Sequence, residues 1–368
     1  MADERAVPIG IIGCGTISAA YLKAASLFPS LRVVALADRD EAVAARKAEE
    51  FGLTAMPVDA LLGDPAIEIV VNLTVPKAHV EVGQACLAAG KHVYSEKPLG
   101  VAFAEAQPLI AQADALGLRV GCAPDTFLGG AHQTCRRLID EGAIGTPVGG
   151  TAFFMCPGHE RWHPNPAFYY ERGGGPMLDM GPYYITDLVN LLGPVAEVSA
   201  MTSTPRTERV IGSEPRRGQR VPVEVPTHVA GTLRFVSGAV VVVAMSFDVP
   251  GHHHRPLEIY GTEGALVVPD PNRFGGEILR MATGGEWQPV ATDMPYADGN
   301  YRSLGVADMA CGLRAGRPHR ASGALALHVL EVMEAFGRSS SEGRHVALET
   351  RPERPAPLRD DLVDGRLA

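Results

Sequence analysis

The run Pro8-Ile9-Gly10-Ile11-Ile12-Gly13-Cys14-Gly15-Thr16-Ile17-Ser18, read together with Leu36-Ala37-Asp38-Arg39, decides the fold of this chain. An apolar run feeds a glycine-rich turn, the turn opens the helix-forming segment Ala19 to Ala25, and a second apolar run ends on an acid. This is the order of a dinucleotide-binding βαβ unit. Gly13 permits a tight strand-to-helix turn. Gly15 lets the backbone approach a pyrophosphate whose charge rests on the free N–H groups at the helix start, where Thr16 and Ile17 stand. Ser18 occupies the place of the third glycine of the pattern and is small enough to let the helix lie against the strand. Asp38 ends the second strand, where a carboxylate accepts both ribose hydroxyls of an adenosine and repels a 2′-phosphate. The expected cofactor is NAD, with NADP admitted if Arg39 turns outward to receive that phosphate.

The same grammar continues downstream. The segment Glu41 to Phe51 predicts a helix stopped by Gly52, and Ile67 to Leu73 is a β-branched run suited to a buried parallel strand. Thr74-Val75-Pro76-Lys77-Ala78-His79 leads into a helix reaching Ala89, and His92-Val93-Tyr94-Ser95 predicts a strand followed at once by Glu96-Lys97-Pro98. A helix over Phe103 to Leu116 and a sixth apolar run, Leu118 to Cys122, complete a doubly wound parallel sheet over residues 1–123. Ligands bind outside the carboxyl ends of such strands, so the loops starting at Gly13, Thr74 and Glu96 should converge on one crevice. Pro76 belongs to the second of these loops, and His79, at the helix start after it, is a candidate to line the cofactor cleft.

Residues 124–368 read differently. A helix over Leu128 to Glu141 precedes a strand, Pro147 to Phe154; Gly173-Gly174-Gly175 then introduces a helix ending near Gly193. Strand signals dominate from Val195 to Thr202, Val229 to Phe235, Ala239 to Phe247, Leu257 to Tyr260 and Ala265 to Val268. Short connections between them imply a large, mainly antiparallel open sheet in an α+β domain that binds substrate. Helical pattern returns at Ser303 to Ala315 and Ala324 to Phe336, leaving no long segment to cover the sheet's outer face. A homo-oligomer, dimer or tetramer, assembled through that face is the expectation. The arginines Arg206, Arg209, Arg216, Arg217 and Arg220 alternate with glutamates and read as an exposed connecting loop.

Composition narrows the class. A chain of 368 residues, 46% hydrophobic and 20% charged, suits a globular protein of two domains, and a net charge of −9 argues against a nucleic-acid partner. The start Met1-Ala2-Asp3-Glu4-Arg5 lacks the apolar core of a signal peptide, and the longest apolar run, Ala239 to Met245, is far short of the ~20 residues that cross a bilayer. Six scattered cysteines form no C-x-x-C pair, which suits reduced thiols in the cytoplasm.

Glu96-Lys97-Pro98 after the fifth strand, with Gly173-Gly174-Gly175 and Asp179-Met180-Gly181-Pro182-Tyr183 opening the second half, resembles the Gfo/Idh/MocA (glucose-fructose oxidoreductase, inositol dehydrogenase, rhizopine catabolism) family. Pro76-Lys77-Ala78-His79 and Ile259-Tyr260-Gly261-Thr262-Glu263-Gly264 fit as well, so the resemblance spans essentially the whole chain. It implies NAD(P)-dependent hydride transfer at a hydroxyl or carbonyl carbon of a sugar, inositol or related polyol. It also implies that Lys97 reaches both the nicotinamide end and the reacting oxygen, that Pro98 follows a cis bond, and that Asp179 holds substrate or orients the acid/base. Many members carry histidine where Tyr183 stands; a branch resembling glucose-fructose oxidoreductase carries tyrosine. Tyr183 beside Lys97 is thus the expected acid/base, the alternative being that Tyr183 packs in the pocket wall and Lys97 or a water handles the proton.

Gly158-His159-Glu160-Arg161-Trp162-His163-Pro164 lies on a polar, aromatic loop before the triple glycine, and Trp162 and His163 are the expected substrate contacts from it. His252-His253-His254 lacks a carboxylate or cysteine at useful spacing, so no metal site is expected. Two alternatives stand beside the dehydrogenase: a redox-neutral lyase or glycosidase-like enzyme that retains its NAD, and a non-catalytic nucleotide-sensing protein.

Overall fold

The computed structural model describes residues 6–359, 361–362 and 365–367; the charged residues 1–5 lie outside that range. The first half runs β1 (Val7–Ile12), α1 (Ser18–Ala25), β2 (Leu31–Ala37), α2 (Glu41–Phe51), β3 (Thr54–Ala55), α3 (Val58–Gly63), β4 (Ile69–Asn72), α4 (His79–Ala88), β5 (His92–Ser95), α5 (Phe103–Leu116) and β6 (Val120–Cys122). Its six strands lie parallel in the order β3-β2-β1-β4-β5-β6. The order reverses at β1 and β4, which opens the crevice where a dinucleotide binds. Local chemistry sets the helix limits. Asp40 accepts a hydrogen bond from Ala42 N at 3.0 Å to start α2, a cap worth about 1 kcal/mol. Gly52 and Gly117, both at φ 65°, end α2 and α5 in the left-handed conformation.

The second half runs α6 (Gly130–Asp140), β7 (Pro147–Met155), α7 (Gly175–Leu192), β8 (Val195–Ser203), the hairpin β9 (Glu208–Val210) and β10 (Arg220–Pro222), β11 (His228–Phe235), β12 (Val240–Ser246), β13 (Leu257–Gly261), β14 (Gly264–Val268), β15 (Ile278–Ala282), β16 (Gln288–Val290), α8 (Leu304–Ala315), α9 (Gly323–Glu342) and β17 (Val346–Ala347). Nine strands order as β16-β15-β14-β13-β7-β12-β11-β8-β17, antiparallel throughout except for the β7–β12 pair. Side chains alternate across the sheet. Val241, Val243 and Met245 are buried beneath it against α7, while Val240 and Val242 point outward, and Met201 shares their face through the register Met201–Ala230–Ala244. Each fully buried apolar side chain contributes roughly 1.5–3 kcal/mol.

The C-terminal helices return to the first half. On α9, Leu325, Val329 and Met333 face Pro98, Leu99 and Cys122. The same helix accepts Val195 N on His328 Nε2 at 3.0 Å and Ala200 N on Ser339 Oγ at 2.9 Å, both from β8. Residues 204–222 correct the sequence reading. They hold the β9–β10 hairpin, and Arg209 is buried rather than exposed. β15 and β16 extend the sheet through glycine-rich sequence that carries no strand signal.

Candidate functional site

The cofactor side is built by β1, α1 and β2. Gly13 adopts φ 102°, and a Cβ there would meet Leu73 O at 2.5 Å, so glycine is required by both conformation and space. At Gly15 a Cβ would meet nothing within 4 Å; that open space borders the start of α1, which has no side-chain cap. Thr16 is exposed and Ile17 half-buried at the same edge. Ser18 is buried and donates from Oγ to Gly15 O at 2.7 Å, fixing the turn. Asp38 Oδ2 accepts from Cys14 N at 2.8 Å and Oδ1 from Asp40 N at 3.0 Å, which anchors the carboxylate beside the glycine turn. Arg39 is exposed. Uncapped N–H groups, an open phosphate cradle and an anchored acid fit a nicotinamide dinucleotide.

At the ends of β4 and β5 three expected cofactor contacts act as braces. Thr74 Oγ1 donates to Asn72 Oδ1 at 2.7 Å, holding the loop that continues through Pro76. His79 is fully buried, with Nδ1 2.7 Å from Pro98 O and Nε2 3.0 Å from Thr74 O. Burial lowers its pKa, and its two ring nitrogens tie the loop after β4 to Pro98. Glu96 accepts from Tyr21 Oη at 2.7 Å and from Lys97 N at 2.9 Å, joining α1 to β5.

The Lys97–Pro98 bond is cis, and Lys97 crosses to α7. There Pro182 lacks the N–H that would bond Leu178 O four residues earlier. The next carbonyl, Asp179 O, accepts from Lys97 Nζ at 2.5 Å, and Asp179 Oδ1 accepts from the same nitrogen at 3.0 Å. His159 Nε2 lies 3.1 Å from Asp179 Oδ2, and its Nδ1 receives Trp162 Nε1–H at 3.2 Å. Indole N–H only donates, so His159 Nδ1 is the acceptor and Nε2 carries the proton given to Asp179. Burial alone would lower the Lys97 amine, but Asp179 outweighs it and holds the ammonium above the ordinary lysine value. Burial alone would raise the Asp179 carboxyl, but Lys97 and His159 hold it at about 2.

Tyr183 is buried and presents its ring face, not its hydroxyl, to Lys97, with Nζ 5.0 Å from the centroid. Its hydroxyl is turned to Arg302 Nη2 at 3.5 Å. His163, expected to meet substrate, accepts from Asn165 N at 3.1 Å and packs on Phe168 and Tyr169; it is His159 that reaches Asp179. Trp162 is 60% exposed at the rim. Beneath this loop Glu160 is buried with Tyr170 and Arg209, and Arg209 also meets Asp248. His159, Arg209 and Arg302 are the residues that sequence reasoning did not select. His159 lay inside the aromatic stretch, whereas Arg302 carries no local signal. His252, His253 and His254 are exposed, with the His254 ring 4.5 Å from Phe153.

The parallel sheet and its glycine turn, with the family match that follows, define an NAD-binding oxidoreductase. The chain belongs to the GFO/IDH/MocA family: residues 7–123 match its oxidoreductase model with NAD-binding Rossmann fold, and residues 132–267 match the GFO/IDH/MocA C-terminal domain. Among curated relatives, 1,5-anhydro-D-fructose reductase of Ensifer adhaerens is 28% identical over 76% of this chain and 82% of its own. The dTDP-3,4-didehydro-2,6-dideoxy-alpha-D-glucose 3-reductase of Streptomyces antibioticus is 30% identical over 74% of this chain and 80% of its own. A solved levoglucosan dehydrogenase, in complex with NADH and L-sorbose, has the same fold, with a TM-score of 0.82 over 94% of this chain and 100% of that one at 23% identity.

Proposed function

We propose that this oxidoreductase transfers hydride between NAD and a hydroxyl or carbonyl carbon of a sugar or polyol, in the crevice between the two sheets. The observation that carries the reading is Lys97 Nζ, anchored twice on Asp179 at the end of β5. When bound, the nicotinamide supplies or accepts the hydride. Two of the three N–H donors of Lys97 go to Asp179, and the third is left for the reacting oxygen of the substrate. Asp179 keeps Lys97 an ammonium, which hydrogen-bonds a carbonyl oxygen and gives up a proton only as the hydride arrives and that oxygen becomes an alkoxide; in reverse Lys97 must first lose that proton. Asp179, ionised down to about pH 2, fixes Lys97 in place, and His159 fixes Asp179. Tyr183 walls the site with its ring; Trp162 and His163 form the rim that a sugar ring would meet.

Anchored Asp38 supports NAD over NADP, since a 2′-phosphate would meet its charge. The outward face of the nine-stranded sheet, with Val240, Val242 and Met201 exposed, supports assembly of identical chains through it, and six unpaired cysteines suit the cytoplasm. Initial rates of NADH and NADPH oxidation and of NAD and NADP reduction, against ketoses, aldoses, inositols and sugar acids, test the reading. A rate abolished by Lys97→Met supports it; a Lys97→Met enzyme of normal turnover removes it. Light scattering that finds a 38.9 kDa monomer would remove the assembly.

A further inference from the structure

Arg302 is a cation beside Tyr183 that has no ion-pair partner among the described residues. Its Nη2 donates to Asn272 Oδ1 at 3.0 Å and reaches Tyr183 Oη at 3.5 Å, and its Nη1 donates to Asn300 Oδ1 at 3.2 Å. None of the three partners is a carboxylate, and among the described residues no carboxylate stands at ion-pair distance from the guanidinium. Asp125 and Glu96 act on it only through space, for Asp125 accepts Ser303 N and Gly305 N, and Glu96 accepts Tyr21 and its neighbour's N–H. A largely buried charge is costly unless a counter-charge meets it.

The backbone next to this side chain is strained. Ser303 holds φ 127°, a conformation rare outside glycine, and is pinned by Asp125 Oδ2 at 3.1 Å and by its own hydroxyl on Tyr21 O at 3.0 Å. Such strain gathers at functional positions. The guanidinium stands between Tyr183, whose ring centroid lies 5.0 Å from Lys97 Nζ, and an open depression of about 450 Å³ lined by Asn272, Asp298, Asn300 and Arg302, in which the Asp298 carboxylate is taken by Tyr301 Oη.

We propose that Arg302 receives a carboxylate or phosphate carried by the substrate, so that the site takes an anionic sugar or polyol derivative in preference to a neutral one. The proposal rests on the hydride-transfer reading for which cleft is the site. A guanidinium suits such oxyanions; with Nη2 turned to Tyr183 and Asn272 and one Nη1 hydrogen to Asn300, Nε–H and the second Nη1 hydrogen are the donors left to meet one.

The test is the melting temperature of the full chain loaded with NADH, at matched ionic strength, with D-gluconate, D-glucuronate or D-glucose 6-phosphate against D-glucose. Expected is a rise of about 3–5 °C with at least one anion at a hundred times its Kd, and none with glucose. Arg302→Gln should weaken that anion at least tenfold with NADH affinity within twofold, and Arg302→Lys should restore part of the effect. Equal shifts by neutral and anionic ligands, or no shift by any, overturn the proposal. An Arg302→Gln variant that keeps the anion shift but loses NADH tenfold also overturns it, assigning Arg302 to the phosphates of the dinucleotide. An anion shift without turnover of any panel member removes the hydride-transfer reading and leaves the anion site standing.

Discussion

Two histidine–aspartate pairs share helix α7 and do opposite things. His159 meets Asp179 at 3.1 Å beside Lys97, with both side chains between a tenth and a fifth exposed. Two turns on, His132 Nδ1 meets Asp187 Oδ2 at 2.8 Å, fully buried, while its Nε2 lies 2.8 Å from Arg273 O. The third partner decides the difference. Trp162 donates a hydrogen bond to His159 Nδ1, so only Nε2 of that ring donates; His132 faces two acceptors and must donate from both nitrogens as an imidazolium. Burial opposes that charge, but Asp187 outweighs it and raises the His132 pKa. One pair therefore braces Lys97, and the other is an internal ion pair joining α6 to α7.

The contrast can be broken by mutation. The largest effect is expected from Lys97→Met: kcat/KM should fall by about 10²–10⁴ with NADH affinity within a few fold, since acid catalysis is what leaves. Next is His132→Leu, which strands the Asp187 carboxylate and should cost about 3–5 kcal/mol of unfolding free energy in urea, while the folded fraction keeps its turnover within a few fold. Lost turnover with unchanged stability in that variant would reverse the roles of the pairs. His159→Ala should lower kcat about tenfold and stability by less than about 1 kcal/mol, because Asp179 loses an orienting bond near solvent. An unchanged kcat there would make His159 a bystander.

The smallest effect is in pH. A folded pKa above the unfolded one means that the His132 contribution is complete below about pH 6 and fades as pH rises through the folded value. The gap in melting temperature between the wild type and His132→Gln should therefore narrow from pH 6 to pH 9. A gap that widened would mean that His132 is neutral. Asp179, at about 2, should add no change in activity between pH 5 and pH 8.

How far the sequence carried follows from what kind of force sets each feature. The turn from Gly13 to Asp38 and the limits of α2 and α5 are local: glycine stops and a cap fix them within a few residues, and the pattern is written in order. Lys97 and Asp179 entered through a motif resemblance, and they do meet. What the sequence concealed depends on distant partners. Arg209 looks like one of five loop arginines until Glu160 and Asp248, 49 and 39 residues away, neutralise it in the interior. His159 and His163 are equivalent in composition, and only the short helical turn over His159–Arg161 aims the first at Asp179. Arg302 meets Tyr183 and Asn272, 119 and 30 residues away, which no local pattern announces.

Helix α9 has a consequence for how the molecule comes apart. Leu325, Val329 and Met333 close the first half, while His328 and Ser339 satisfy N–H groups of β8 in the second. Neither half can melt without uncovering apolar surface or orphaning backbone donors in the other. The two sheets are thus thermodynamically one cooperative unit, expected to give a single calorimetric transition whose van't Hoff and measured enthalpies agree, and residues 1–123 produced alone should lack a sharp melt.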